Sequence, residues 1–195
     1  MDFARARRRS AGSPRLYRQG NKSEAQAKLS AFLAQNPKDV RERFLQGVIH
    51  AEQKRTPEAL KIFTALTEDH PELPEPYNNL AVLYASQGEY EKARRALETS
   101  IRTHPSYAVA HENLGDVYAT LASQAYDRAL QLDGGNTAAR TKLALIKELV
   151  PRNAVTVAQI KTEPAVSPPA PKPESRGEPK PVQPETTKPE PAKPA

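Results

Sequence analysis

Pro37, Pro71 and Pro105 stand 34 residues apart, and so do Ala25, Ala59 and Ala93. Leu29, Phe63 and Leu97 keep the same step, as do Gly47, Ala81 and Gly115, and then His50, Tyr84 and Tyr118. Five columns at one period mean that the middle of the chain is one supersecondary unit written several times. A unit this short cannot bury its own apolar faces, so the units must stack in a line and cover one another.

The sense of the columns is clearest in residues 74–105, PEPYNNLAVLYASQGEYEKARRALETSIRTHP. Tyr77, Leu80, Ala81 and Tyr84 fall on one helical face, and Tyr90, Ala93, Leu97 and Ile101 on another, which predicts two helices. Gly88 stands where the first must stop, because glycine accepts the left-handed conformation that ends a helix. Ala81 and Ala93 are small enough to let the two axes approach. Pro105 lacks the amide that a helix interior needs, so it closes the unit.

This pattern resembles the tetratricopeptide repeat family. Its run of a large residue, Leu, a small residue and Tyr reads here as Tyr77, Leu80, Ala81 and Tyr84, followed by Gly88, Tyr90, Ala93 and Pro105. Residues 40–71 match more loosely, with Gly47, Ala59, Phe63 and Pro71 in place but Arg43, Gln46 and His50 at positions that are usually apolar. Residues 15–37 supply only the second helix of a unit, through Gly20, Ala25, Leu29, Phe32 and Pro37. The resemblance covers residues 15–134. It implies an all-α fold, a right-handed superhelix (an α-solenoid) of antiparallel helix pairs whose concave face binds peptides or proteins.

One unit departs from the rule. After Tyr118 the small residue is due at 127, where Asp127 stands, while the matching Ala122, Tyr126, Ala129 and Gly134 all come five early. The turn is missing, and Leu114, Tyr118, Leu121, Ala125, Ala129 and Leu132 run on at helical steps with no Gly or Pro between Gly115 and Gly134. A single helix over 106–132, roughly 40 Å at 1.5 Å per residue, is expected; the alternative is a cramped bend near Thr120 to Ser123. Gly134 and Gly135 allow a reversal, and Asn136 or Thr137 can cap a closing helix carrying Ala139, Leu143, Ile146 and Val150. That helix is expected to cover Tyr126, Leu130 and Leu132, with Lys142 and Lys147 on its outer side.

The chain thus divides into a basic, flexible segment at 1–14, a repeat domain at 15–150 and a tail at 151–195. The domain comprises a half-unit at 15–37, units at 40–71 and 74–105, the fused unit at 106–133 and a closing helix at 137–150. The tail, rich in Pro, Lys, Glu and Ala, has too few apolar groups to offset the entropy of folding and is expected to be disordered with polyproline II bias. It suits a semi-rigid spacer better than a ligand for a proline-binding module.

Net charge is +6, but it sits at the ends: six arginines against Asp2 in residues 1–20, and seven basic groups against five glutamates in 152–193. The body between is close to neutral, which disfavours a phosphate-tracking surface and so nucleic acid. With no cysteine there is no disulfide framework, no thiolate chemistry and no sulfur-based zinc site. No apolar run approaches a membrane span, and no apolar stretch follows the arginine-rich N-terminus, so the default expectation is a cytoplasmic chain without an export signal.

Catalytic signatures are missing: there is no glycine-rich phosphate loop, no HExxH and no nucleophile elbow. His50, His70, His104 and His111 fall at repeat positions and form no close ligand pair. Neither enzyme activity nor any cofactor or metal is expected. The resemblance directs attention instead to the first helix of each unit. Its groove positions are Arg41, Phe44, Val48 and Glu52, then Glu75, Asn78, Asn79 and Val82, then Val109, Glu112, Asn113 and Asp116. Asn79 and Asn113 are equivalent, and an amide can both donate to and accept from a peptide backbone. The competing reading is that these asparagines brace neighbouring helices. The basic residues with which some members clamp a terminal carboxylate are replaced by Phe44, Val48, Val109 and Asn113, so a chaperone-tail receptor is not expected. The reading reached is a non-enzymatic scaffold for a protein or peptide partner. The alternative is self-assembly through an open apolar surface near residues 16–48.

Overall fold

The computed structural model describes residues 12–149; residues 1–11 and 150–195, on which the expected flexible tip and disordered tail fall, lie outside the described residues. Among the described residues there are eight helices and no strand. They are α1 (Ser13–Arg18), α2 (Lys22–Gln35), α3 (Val40–Glu52), α4 (Thr56–Asp69), α5 (Pro74–Ser86), α6 (Tyr90–Thr103), α7 (Ala108–Leu132) and α8 (Thr137–Leu149). They form an all-α solenoid of stacked helix pairs.

The repeat shows in the turns as well as in the sequence. The backbone takes positive φ at Gly20 (83°), Lys54 (57°) and Gly88 (78°), one residue per unit at the 34-residue step, each just beyond the end of a first helix. Glycine meets that demand without strain, whereas a side chain there costs about 1–2 kcal/mol. Second helices end alike, with the amides of His70 and His104 donating to the carbonyls of Leu66 and Ser100. At the start of α3 the Asp39 carboxylate accepts the Glu42 amide at 3.0 Å, a side-chain cap for an otherwise unpaired donor.

Between helices the columns do the packing. Ala25, Ala59 and Ala93, and Leu29, Phe63 and Leu97, are buried essentially completely. A side chain of the latter size contributes about 1.5–3 kcal/mol on full burial. Gly47 lets α3 and α4 approach so closely that a Cβ added there would lie 2.8 Å from Cζ of Phe63. The Phe63 ring also meets Phe44 edge-on, with centroids 5.4 Å apart. In the next unit the Ser100 hydroxyl donates to the Pro74 carbonyl at 2.8 Å and sets the register of α6 on α5.

Three expectations need correction. The N-terminal half-unit is more than a lone second helix: α1 packs against it as the end of a first helix, beginning at Ser13, with Ser13 and Tyr17 buried. Tyr17 donates to Glu52, whose other oxygen is 2.7 Å from Lys22 Nζ. The apolar surface expected to lie open near 16–48 is therefore largely enclosed, with Tyr17, Leu29, Phe44, Leu45 and Val48 in one core cluster. At the other end, Leu132 is 74% exposed and is not covered by α8. Lys142 and Lys147 are exposed, with Lys142 Nζ 5.7 Å from the Tyr126 ring centroid and Lys147 3.6 Å from Asp127.

α7 has 25 residues and no break, about 38 Å at 1.5 Å per residue. Its first half occupies the first-helix place of a fourth unit. The next left-handed position would be Ala122, which is inside the helix instead. Asn136 caps α8, its side-chain Oδ1 accepting the Ala139 amide at 2.9 Å, and Ala139 and Leu143 are buried.

Candidate functional site

The first-helix face is built from α3, α5 and the front half of α7. Of its twelve candidate positions, Phe44, Val48, Glu75, Asn78, Asn79, Val82, Val109 and Asn113 are buried. Arg41, Glu52 and Glu112 are exposed and Asp116 is half-buried. Successive first helices press against one another, so the middle of each contributes to the wall between units and only the margins stay wet. Glu52 is engaged by Tyr17 and Lys22, and serves the N-terminal unit.

The two central asparagines of α5 each bury an Nδ2 with no acceptor among the described residues, and differ in their oxygens. Asn113 Nδ2 donates to Asn78 Oδ1 at 2.8 Å, a buried bond that joins α5 to α7. The bond links positions that are not equivalent in the repeat; Asn79, the true counterpart of Asn113, has no acceptor for its Nδ2 among the described residues. Sequence spacing pairs Asn79 with Asn113 by period and cannot reveal which amide lies across the helix boundary.

Around them the electrostatics are acidic. Burial first, and then the charge of Glu112 one turn away, raises the pKa of Asp116 from its ordinary value. Tyr107, at the N-cap of α7, is pushed far above the usual phenol range by burial and then by the Glu75 carboxylate. It was absent from the candidates, although its place is marked by the period: Asp39, Leu73 and Tyr107 are the N-caps of α3, α5 and α7. Together these groups can accept hydrogen bonds, hold positive charge and offer an amide donor.

Elsewhere, an open cleft of about 310 Å³ lies between the start of α6, at Gly88 and Tyr90, and the middle of α7, at Leu121 and Gln124. Among the described residues, no three His, Asp or Glu side chains are grouped as a metal site. No helix among them is long and apolar enough to cross a membrane.

Stacked antiparallel helix pairs at a 34-residue period, with first helices lining one face, define an α-solenoid repeat protein. Family models described as tetratricopeptide repeat match residues 10–74 and 50–116, which together take in more than half of the chain. The chain belongs to the tetratricopeptide repeat family. A curated relative is the chloroplastic tetratricopeptide repeat domain-containing protein PYG7 of Arabidopsis thaliana, 29% identical over 118 residues. The match takes in 56% of this chain and 39% of that protein, so this chain spans well under half of the relative's length. Among solved structures, a thermophilic repeat protein of Thermus thermophilus superposes with a TM-score of 0.56 at 22% identity, covering 77% of this chain and 85% of its own. A tetratricopeptide repeat protein of Parabacteroides merdae gives 0.54 at 24%, covering 74% and 59%. At those identities the likeness is one of fold.

Proposed function

We propose that the chain is a non-enzymatic adaptor that holds an extended segment of a protein partner along its first-helix face. The observation that carries this reading is a pair of buried amide donors on α5 with no acceptor among the described residues, the Nδ2 groups of Asn78 and Asn79, the side-chain carbonyl of Asn78 being already committed to Asn113. A buried unsatisfied donor costs about 1–3 kcal/mol, and a peptide carbonyl that reached it would return that cost. Glu112 and Asp116 favour a partner with a basic residue at that point, since a cation there would offset the burial and the Glu112 charge that raise the Asp116 pKa. Family membership supports the same reading, as the fold presents one long face lined by first helices.

The test is selection of partner peptides from a display library on the full-length chain, repeated with Asn79→Ala and with Asp116→Lys. Loss of binding in both, with helical content retained, is the expected result. Peptides held equally well by both variants would move the binding surface off this face. Asn113 is a poor choice for the experiment, because its loss would disturb the wall between α5 and α7.

A further inference from the structure

We propose that two copies of this chain pair their α7 helices antiparallel, each supplying the second helix that the other's fourth unit lacks. The first half of α7 carries the first-helix columns at Gly115 and Tyr118, and its second half carries second-helix columns at Ala122, Tyr126 and Ala129. In the third unit the residues of those second-helix columns, Ala93, Leu97 and Ser100, are completely buried. In the fourth unit Ala122, Tyr126 and Ala129 are only half-buried. Gly115 is exposed, and a Cβ added to it meets nothing within 4 Å. Tyr118 is 48% exposed, although its hydroxyl reaches Glu98. The two surfaces made for each other lie on one straight helix and cannot meet within one chain. A second copy can bring them together.

The uncovered surface has the form that such a pairing needs. Gly115, Tyr118, Ala122, Ala125, Ala129 and Leu132 run at alternating steps of three and four, the 3.5-residue repeat of a two-stranded seam. Four of these are exposed. Leu114 and Leu121 face the other way, packed against the cluster on α5 and α6, so the seam is not consumed by the chain's own core. Its small residues permit close approach of the two axes.

The register follows from the third unit, where Ser100 bonds to Pro74. Carried across the five-residue deletion, it sets Ala129 opposite the second copy's Ala108 and Ala122 opposite its Gly115. Charges then fit. Glu112 comes opposite Ala125, Asp116 opposite Leu121 and Asp127 opposite Ala110, so no carboxylate faces another, and Arg128 falls within one turn of the second copy's Glu112. The arrangement is isologous about a two-fold axis near Tyr118, and loss of a hinge is a low-cost route to such an exchange.

Sedimentation of the full chain should give twice the chain mass at high micromolar concentration. Inserting Gln-Gly-Glu-Tyr-Glu, the sequence of residues 87–91, between Thr120 and Leu121 restores the 34-residue period and should halve that mass. The chain has no cysteine of its own, so mixing Gly115→Cys with Ala122→Cys should yield a disulfide-linked pair under mild oxidation. Mixing Gly115→Cys with Lys61→Cys, on α4, should not. If the insertion unfolds the chain, the cysteine pair decides alone. A monomer at every concentration overturns the proposal, as does a dimer that survives the insertion and forms no link between 115 and 122.

Discussion

Asn113 donates its side-chain amide to the carbonyl oxygen of Asn78 across 2.8 Å, with both residues buried between α5 and α7. The bond is a polar link in a wall where Val82, Val109, Glu75 and Asn79 are buried as well. A polar pair there satisfies itself only in one register of the two helices.

The costs of removing the two partners should therefore not add. Asn113→Ala leaves Asn78 buried with an unmet acceptor, for an expected loss of about 1–3 kcal/mol in chemical denaturation. Adding Asn78→Ala should cost less than the sum of the two single changes. Additive losses would mean that the bond contributes nothing to the wall.

Gly47 and Gly115 occupy the same column and should respond in opposite ways. At Gly47 a methyl group would drive into the buried Phe63 ring, so Gly47→Ala should lower stability by about 1–3 kcal/mol through overpacking. At Gly115 the space is open and the backbone helical, so Gly115→Ala should raise stability by roughly 0.5–1 kcal/mol. Thermal melts of dilute protein compare the two directly.

The left-handed turn position gives a second contrast. Lys54→Gly should stabilise by roughly 1 kcal/mol, because glycine accepts φ of 57° without the clash that lysine bears. Ala122, one period beyond Gly88, is in the interior of α7, where proline removes a hydrogen bond and clashes with the preceding turn. Ala122→Pro should cost about 3 kcal/mol or more. Near-neutral behaviour in circular-dichroism melts would place a turn in the middle of α7.

His50 should make stability sensitive to mild acid. Its pKa is lowered in the folded chain, first by burial and then by the charge of Arg55, with Glu58 opposing. The unfolded chain then takes up the proton first as pH falls. Stability is full above the ordinary histidine range and declines as pH drops through about 6.5. The melting temperature of His50→Gln should fall less over that interval than that of the parent chain.

Local chemistry made much of this fold readable. The period, the paired helices, the glycine at 88 and the absence of any helix breaker between Gly115 and Gly134 all act within a few residues of where they are written, and α7 runs through the place where the turn is missing. Lys54 escaped notice for the converse reason: its left-handed backbone runs against the preference of the residue written there. The short helix at Ser13–Arg18 escaped because too little of its apolar pattern remains to show a period.

What lines the first-helix face could not be settled in the same way. Residues at groove positions share one side of a helix by sequence, but whether that side is open or closed depends on how the next helix crosses it. The crossing is set by side-chain volumes contributed from distant parts of the chain. Sequence alone determined that Asn78, Asn79 and Asn113 stand on that side. Only the tertiary structure decided that Asn113 reaches Asn78, that Asn79 is left without an acceptor, and that Phe44, Val48 and Val82 are core. Likewise the five-residue deletion is legible as a missing turn, while the bare seam it leaves at Gly115 and Tyr118 exists only because α8 folds back along the far half of the rod and leaves that side uncovered.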